Sequence, residues 1–271
     1  MKIYDCFSYW DEDLLLDLRL NLLNKYVDYF VIIEGNKTWQ NNPKKLKFSL
    51  ENHKKFKDKI IYVKVQDMPD GDNPYLRENF QRNAIQRGLV NAEEEDIIII
   101  SDLDEIPNPK VFHLFEKKMR YAVFKQMHFY YKLNLHSQKN PYWYGSRICV
   151  KKYLRSPQWL RDLKFKKRPF WRIDKLRLNN IIENGGWHFC NLKEPEQLLY
   201  KYKNLCETND PHVFKEKIDE KYLDIDEIKI RVNEGKDIIG REENYKAIDI
   251  DNKFPDFIIK NQNKYKKWII D

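Results

Sequence analysis

Hydrophobic positions fall into short runs parted by polar turns, and their period changes along the chain. Ile3 to Phe7 is brief and apolar, which predicts a strand. Asp11-Glu12-Asp13 then supplies an acidic cap and first helical turn, and Leu14, Leu15, Leu18, Leu22 and Leu23 recur at helical spacing to about Tyr26. Asp28 to Glu34 (DYFVIIE) predicts a second strand, and Lys59 to Val65 (KIIYVKV) a third. The polar stretch 36–47 between them, with Trp39 and Pro43, reads as a loop. A βαβ opening of this kind favours a doubly wound sheet.

Residues 67–74 (DMPDGDNP) form a loop, and Tyr75 to Leu89 reads as a helix with Phe80, Ala84, Ile85 and Leu89 as its apolar stripe. Ile97-Ile98-Ile99-Ile100 is four consecutive β-branched residues, the pattern of a strand covered on both faces. It runs into Ser101-Asp102-Leu103-Asp104-Glu105-Ile106-Pro107, where the proline removes a backbone donor. Further on, the pattern predicts a short helix over 109–118, an aromatic strand over 120–131, an extended segment over 140–150 and a short strand over 184–190. Helices over 194–205, 211–219 and 226–233, a turn at 234–237, and a Lys- and aromatic-rich tail from Asp251 follow. With no repeat and no Gly-, Ser- or Pro-rich linker, the reading is one domain over 1–271.

Composition adds a folded, aromatic-rich chain with Tyr 17, Phe 15 and Trp 7. The net charge of +8 favours an anionic partner, a phosphate-bearing ligand or an anionic membrane surface among them. Much of that excess is scattered Lys on solvated faces. Cys6, Cys149, Cys190 and Cys206 lie far apart without a CxxC pair, so reduced thiols are expected rather than a disulfide framework or a zinc site. The N-terminus has no apolar leader and no stretch is long enough to span a membrane, which gives the expectation of a cytoplasmic protein, compatible with peripheral association at a membrane.

Ligands of open α/β sheets bind outside the carboxyl ends of the strands. The acidic turn 101–107 sits at such an end, where carboxylates can coordinate a hard divalent cation and through it phosphates. A lone Asp-x-Asp is as readily a solvated turn. The run Glu93-Glu94-Glu95-Asp96 lies at the opposite end of the strand and reads as a solvated loop. In Asn184-Gly185-Gly186-Trp187-His188, two glycines permit positive φ or close backbone approach, and His188 suits a metal ligand. Lys151 to Lys175 interleaves Lys and Arg with Trp159, Phe165, Phe170 and Trp171, the composition of an amphipathic covering segment or of a stacking, phosphate-holding surface.

Together these segments resemble glycosyltransferase family 17, which includes the eukaryotic enzyme that adds a bisecting N-acetylglucosamine to N-glycans. The resemblance rests on Tyr4-Asp5-Cys6-Phe7 with its acidic-leucine helix, on Phe30-Val31-Ile32-Ile33-Glu34, on Glu78-Asn79-Phe80-Gln81-Arg82-Asn83-Ala84-Ile85 and on Ile99 to Pro107. Gly186-Trp187-His188 and the turn Glu234-Gly235-Lys236 extend it to about residue 240. It implies a GT-A-like α/β fold, with a mixed, mostly parallel Rossmann-type sheet flanked by helices and a helical C-terminal part. The nucleotide-binding half would lie at about 1–108, the acceptor half at about 109–250, and a tail at 251–271.

The implied reaction is inverting transfer of a sugar, N-acetylglucosamine by best guess, from a UDP-sugar to a hydroxyl of a glycan acceptor. It implies a divalent metal, Mn²⁺ or Mg²⁺, held by Asp102, Asp104 and His188. Asp102 would also approach the nucleotide, Glu34 would face the nucleoside, and Arg82 and Asn83 would reach the nucleotide or its phosphates. Glu105 is the favoured general base, with Glu183 and Asp210 as alternatives. The chain departs from the animal members in lacking an anchor and stem and in its richness in Lys, which leaves the N-glycan acceptor open. A haloacid-dehalogenase-type phosphohydrolase would carry its Asp-x-Asp on the first strand, whereas here it follows about a hundred residues. A basic nucleic-acid-binding protein would leave the acidic turn unexplained, so no nucleic-acid partner is expected.

Overall fold

The chain is built around a strand that neither face exposes. A computed structural model describes residues 1–164, 180–204, 222 and 224–270. In it, β1 (Ile3–Ser8), α1 (Asp13–Leu23) and β2 (Tyr29–Gly35) form the predicted opening unit, and β3 (Ile60–Val65) extends it. After α2 (Pro74–Asn83) and α3 (Ile85–Gly88) comes β4 (Ile97–Asp102), which pairs in parallel with β1, Ile3 opposite Ile97 and Ser8 opposite Asp102. The order β4-β1-β2-β3 is parallel throughout. In β4, Ile98 and Ile100 join one core and Ile97 and Ile99 another. The unbroken apolar run is thus what a strand covered on both sides requires, each isoleucine contributing roughly 1.5–3 kcal/mol of burial.

The second half of the sheet is mixed. β5 (Glu105–Pro107) follows the acidic turn, and then come β6 (Tyr121–Tyr130), β7 (Leu135–Ser137), β8 (Tyr142–Trp143) and β9 (Arg147–Val150). β9 joins the halves, antiparallel to both β4 and β6. After α4 (Pro157–Asp162), β10 (Ile181–Cys190) runs parallel to β6 and antiparallel to β5. Helices α5 (Pro195–Asn204) and α6 (Ile225–Asn233) pack on each other, and β11 (Tyr245–Ala247) closes the far edge on β7. The tail forms α7 (Asp256–Lys260) and α8 (Gln262–Tyr265), and Phe254, Ile258 and Tyr265 enter the core cluster that also holds the α1 leucines. The architecture is therefore α/β with a central sheet flanked by helices, as expected.

Two local expectations change. The helix over 75–89 is broken at Ala84 into α2 and α3. The helix over 109–118 is a pair of 3₁₀ turns, Pro109–Leu114 and Lys117–Met119, separated by Phe115 in extended backbone. The predicted helix over 211–219 lies outside the described residues, as do Asp210, Cys206 and residues 165–175 of the basic stretch. No helix among the described residues is long and apolar enough to cross a membrane.

Candidate active site

The acidic turn has alternating destinations. Leu103 and Ile106 are buried in the core beneath it, which leaves Asp102 and Asp104 on the opposite, cleft side. Three carbonyls of this tight turn are capped by one side chain. Arg19, fully buried on α1, donates from Nη1 to the carbonyl oxygens of Asp102 (3.1 Å), Leu103 (3.2 Å) and Glu105 (2.8 Å), and from Nη2 to Ser101 Oγ (2.9 Å). Its charge is matched by Asp5 on β1, equally buried, at 2.6 and 2.8 Å. Buried carbonyls need such partners, and the pairing relieves two charges that could not be buried singly.

Asp102 and Glu105 belong to an ionic cluster. Arg161, on α4, reaches Asp102 Oδ2 (2.8 Å), Glu105 Oε2 (2.6 Å) and Glu105 Oε1 (3.0 Å). Arg82, on α2, reaches Asp102 Oδ1 (3.2 Å), Glu78 (2.8 Å) and Gln158. Glu105 is 1% exposed; it also accepts from Trp143 Nε1 (2.7 Å) and from the Asp102 backbone N–H (3.0 Å). Withdrawal from water disfavours the charged form of Asp102, but Arg161 and Arg82 more than offset this and hold its carboxyl well below the usual range.

Asp104 points elsewhere. β5 pairs with β10 so that Glu105 lies opposite His188, and the Phe189 N–H donates to the Asp104 carbonyl at 2.9 Å. His188 Nε2 is 3.6 Å from Asp104 Oδ1. Residues i and i+2 of a strand share a face, so Cys190 stands beside His188, and ligand atoms of Asp104, His188 and Cys190 all lie within 4.8 Å of one another. Burial penalises the His188 imidazolium, but the adjacent Asp104 carboxylate prevails and raises its pKa to about 10. His188 is stacked on His128 of β6, ring centroids 4.8 Å apart. Desolvation, reinforced by His188, pushes the pKa of His128 down to about 3. A carboxylate, an imidazole and a thiol converging in this way suit a divalent cation.

These groups line a cavity of about 410 Å³. Trp10 and Trp39, ring centroids 6.0 Å apart, are among the residues lining it, as are Lys193, Lys201, Tyr200 and Arg241. Lys193 is paired with Asp11 and Glu12, and Arg241 is held by the buried carboxylate of Asp237 at 2.7 Å. A volume of this order suits a small-molecule ligand.

Of the sequence candidates, the fold brings Asp102, Asp104, Glu105 and His188 to this cavity. Glu34 is elsewhere: it is fully buried, and its carboxylate accepts from Lys44, from the N–H groups of Lys47 and Phe48, and from Tyr62 OH. It clamps the loop 36–48 and does not line the cavity. Asn83 also lies off the cavity, its Oδ1 accepting from the Gln158 N–H at 2.9 Å and so joining α2 to α4. Arg82 stands behind Asp102 rather than in the lining. The sequence reading missed Arg19, Arg161, Trp143 and Cys190. Hydrophobic patterning gives no sign of the first three, whereas the i, i+2 spacing of His188 and Cys190 on a strand was visible.

Comparison with known proteins gives the family of the chain. The model of glycosyltransferase family 17 matches residues 1–267. Human beta-1,4-mannosyl-glycoprotein 4-beta-N-acetylglucosaminyltransferase is 36% identical over 104 residues, and the mouse protein of that name is 35% identical over the same length. Each match covers 34% of this chain and 19% of the relative, so the chain corresponds to a small part of those proteins. A solved structure of UDP-glucose pyrophosphorylase complexed with UDP-glucose aligns with 68% of this chain and 84% of its own at 11% identity and a TM-score of 0.30, too low to define the fold.

Proposed function

The chain belongs to glycosyltransferase family 17, and on that premise we propose that it is a metal-dependent, inverting transferase of GT-A type that moves a sugar, N-acetylglucosamine by preference, from a UDP-sugar to a glycan hydroxyl. The observation that carries the reading is the convergence of Asp104 and His188, from the end of β4 and from β10, on a cavity lined by aromatic and basic side chains. A divalent cation bound there supplies Lewis-acid stabilisation of the departing diphosphate.

The remaining work falls to the chain's own groups. Lys201 and Arg241 line the cavity and can neutralise charge on the leaving group. Trp10 and Trp39 offer flat apolar surface for a base or sugar ring. Arg19, Arg82 and Arg161 fix the turn, so that its carboxylates need no reorganisation as charge develops. Inversion needs a carboxylate base for the acceptor hydroxyl. Glu105 was favoured for it, but both its oxygens are engaged by Arg161 and one also by Trp143. We read Glu105 as the strut of the ionic cluster, with the base among the carboxylates facing the cavity.

The test is a panel of UDP-sugars with and without Mn²⁺, read by thermal shift and by UDP release. The expected result is a rise in Tm that needs both components, as native-state ligands give, with UDP-N-acetylglucosamine turned over fastest. Absence of any shift and of metal-dependent UDP release across the panel would overturn the proposal.

A further inference from the structure

The sequence leads to the expectation of a metal held by Asp102, Asp104 and His188, and the structure does not leave all three free. Asp102 has each carboxylate oxygen engaged by an arginine, Oδ1 by Arg82 and Oδ2 by Arg161. To serve as a ligand it would have to shed at least one of these ion pairs. Cys190 stands differently. It lines the cavity, its sulfur is a free thiol, and its place two residues beyond His188 on β10 sets it on the same face as the imidazole.

The group is held by backbone rather than by chance contact. Gly186, Trp187 and His188 pair with Pro107, Ile106 and Glu105, and the Phe189 N–H closes on the Asp104 carbonyl. That ladder locks the turn carrying Asp104 against the strand carrying His188 and Cys190. The polar partners of the His188 ring are the other two members of the group: Nε2 faces Asp104 Oδ1 at 3.6 Å, and the ring also bonds to Cys190. A tetrahedral ion with bonds of about 2.0–2.3 Å holds its ligand atoms roughly 3.3–3.8 Å apart, and all three atoms already lie within 4.8 Å of one another.

We propose that the cation is bound by Asp104, His188 and the Cys190 thiolate, with Asp102 acting from behind, and that the site takes a borderline-soft ion of the Zn²⁺ or Co²⁺ class in preference to Mg²⁺. Thiolate and imidazole suit such ions, whereas Mg²⁺ demands oxygen ligands. The wide spacing of the cysteines argued against a zinc site, but spacing reports only on thiols that pair with each other, and a site with one thiolate leaves no such trace. The inference rests on the cleft being the donor site of the proposed transferase only for its purpose; the ligand set stands on its own geometry.

The experiment is titration of the 271-residue chain, stripped of metal and kept reduced, with Co²⁺ in the presence and absence of UDP. The expected result is a saturable sulfur-to-cobalt charge-transfer absorption that Zn²⁺ abolishes by competition and a roughly hundredfold excess of Mg²⁺ does not. Cys190→Ser should lose the absorption and bind Co²⁺ at least about tenfold more weakly, while Asp102→Asn should keep it. In the unaltered chain, Zn²⁺ should protect Cys190 from alkylation, a readout that does not depend on any variant folding. Saturable Co²⁺ binding without the absorption, the same absorption in Cys190→Ser, or alkylation indifferent to Zn²⁺ would each overturn the ligand set. UDP-sugar turnover with Mg²⁺ and no thiolate band removes the ligand set but keeps the transferase. The band without turnover does the reverse.

Discussion

Arg161 Nη1 donates to Glu105 Oε2 at 2.6 Å, joining two residues 56 positions apart and closing the ionic cluster over the acidic turn. Arg161 reaches that position because α4 is placed by its N-terminal turn. Ser156 Oγ accepts from the Trp159 N–H, Pro157 occupies the first helical turn, and Asn83 accepts from the Gln158 N–H. Sequence reading sent Asn83 to the nucleotide; its polar group instead aims the helix that carries Arg161.

Removing Arg161 leaves Glu105 buried without its cation. Arg161→Leu is expected to cost about 3–5 kcal/mol, the penalty of an unpaired buried charge, measured by urea unfolding. Adding Glu105→Gln to it should recover a large part of that loss. A single variant within about 1 kcal/mol of the parent would mean that the pair is not coupled in this way.

Glu105→Gln by itself separates strut from base. As a strut, it should lower the unfolding midpoint and the turnover together while the acid limb of the kcat profile persists. A variant that folds and binds nucleotide normally but loses that limb would restore Glu105 as the base.

Gly186 has φ +125°, and a Cβ there would meet the Ile106 carbonyl oxygen at 2.2 Å. Gly186→Ala should therefore force β5 from β10 and destabilise the fold by at least about 2 kcal/mol. Because that ladder joins Asp104 to His188, metal-induced protection of the Phe189 amide from hydrogen exchange should fall with it. Unchanged stability and protection would show that the strands separate without consequence.

Asp11 gives a pH signature away from the proposed metal ligands. Burial works against its charge, but Lys193 and then Lys47 outweigh this and hold its carboxyl below the usual value. A folded-state pKa below the unfolded one, about 3.9, means that the pair stabilises above that pH and loses its contribution as pH falls through the folded value. The stability gap between the parent and Asp11→Asn should be constant from about pH 5 to neutrality and close on acidification. A gap that widens towards acid would reverse the assignment.

The strands and the acidic turn were legible because they obey local rules. Runs of β-branched residues bury on both faces, acidic caps open helices, and a proline ends β5. Even the pairing of Gly186 with positive φ was signalled by the residue type. Less legible was which polar group meets which. Glu34 resembles a site residue, standing at the end of a strand beside the loop, and is consumed by four donors from that loop and β3.

By itself the sequence determined the strands of the frame and its doubly wound α/β character, the place of Asp102 and Asp104 at the carboxyl end of β4, and the family of the chain. Period and chain adjacency carry that information. Only the tertiary structure decided that Arg19 caps the turn, that Arg82 and Arg161 claim Asp102, and that Cys190 stands with Asp104 and His188. These contacts join segments tens of residues apart, and partner choice among buried charges is set by which strands and helices meet, a quantity that no local pattern encodes.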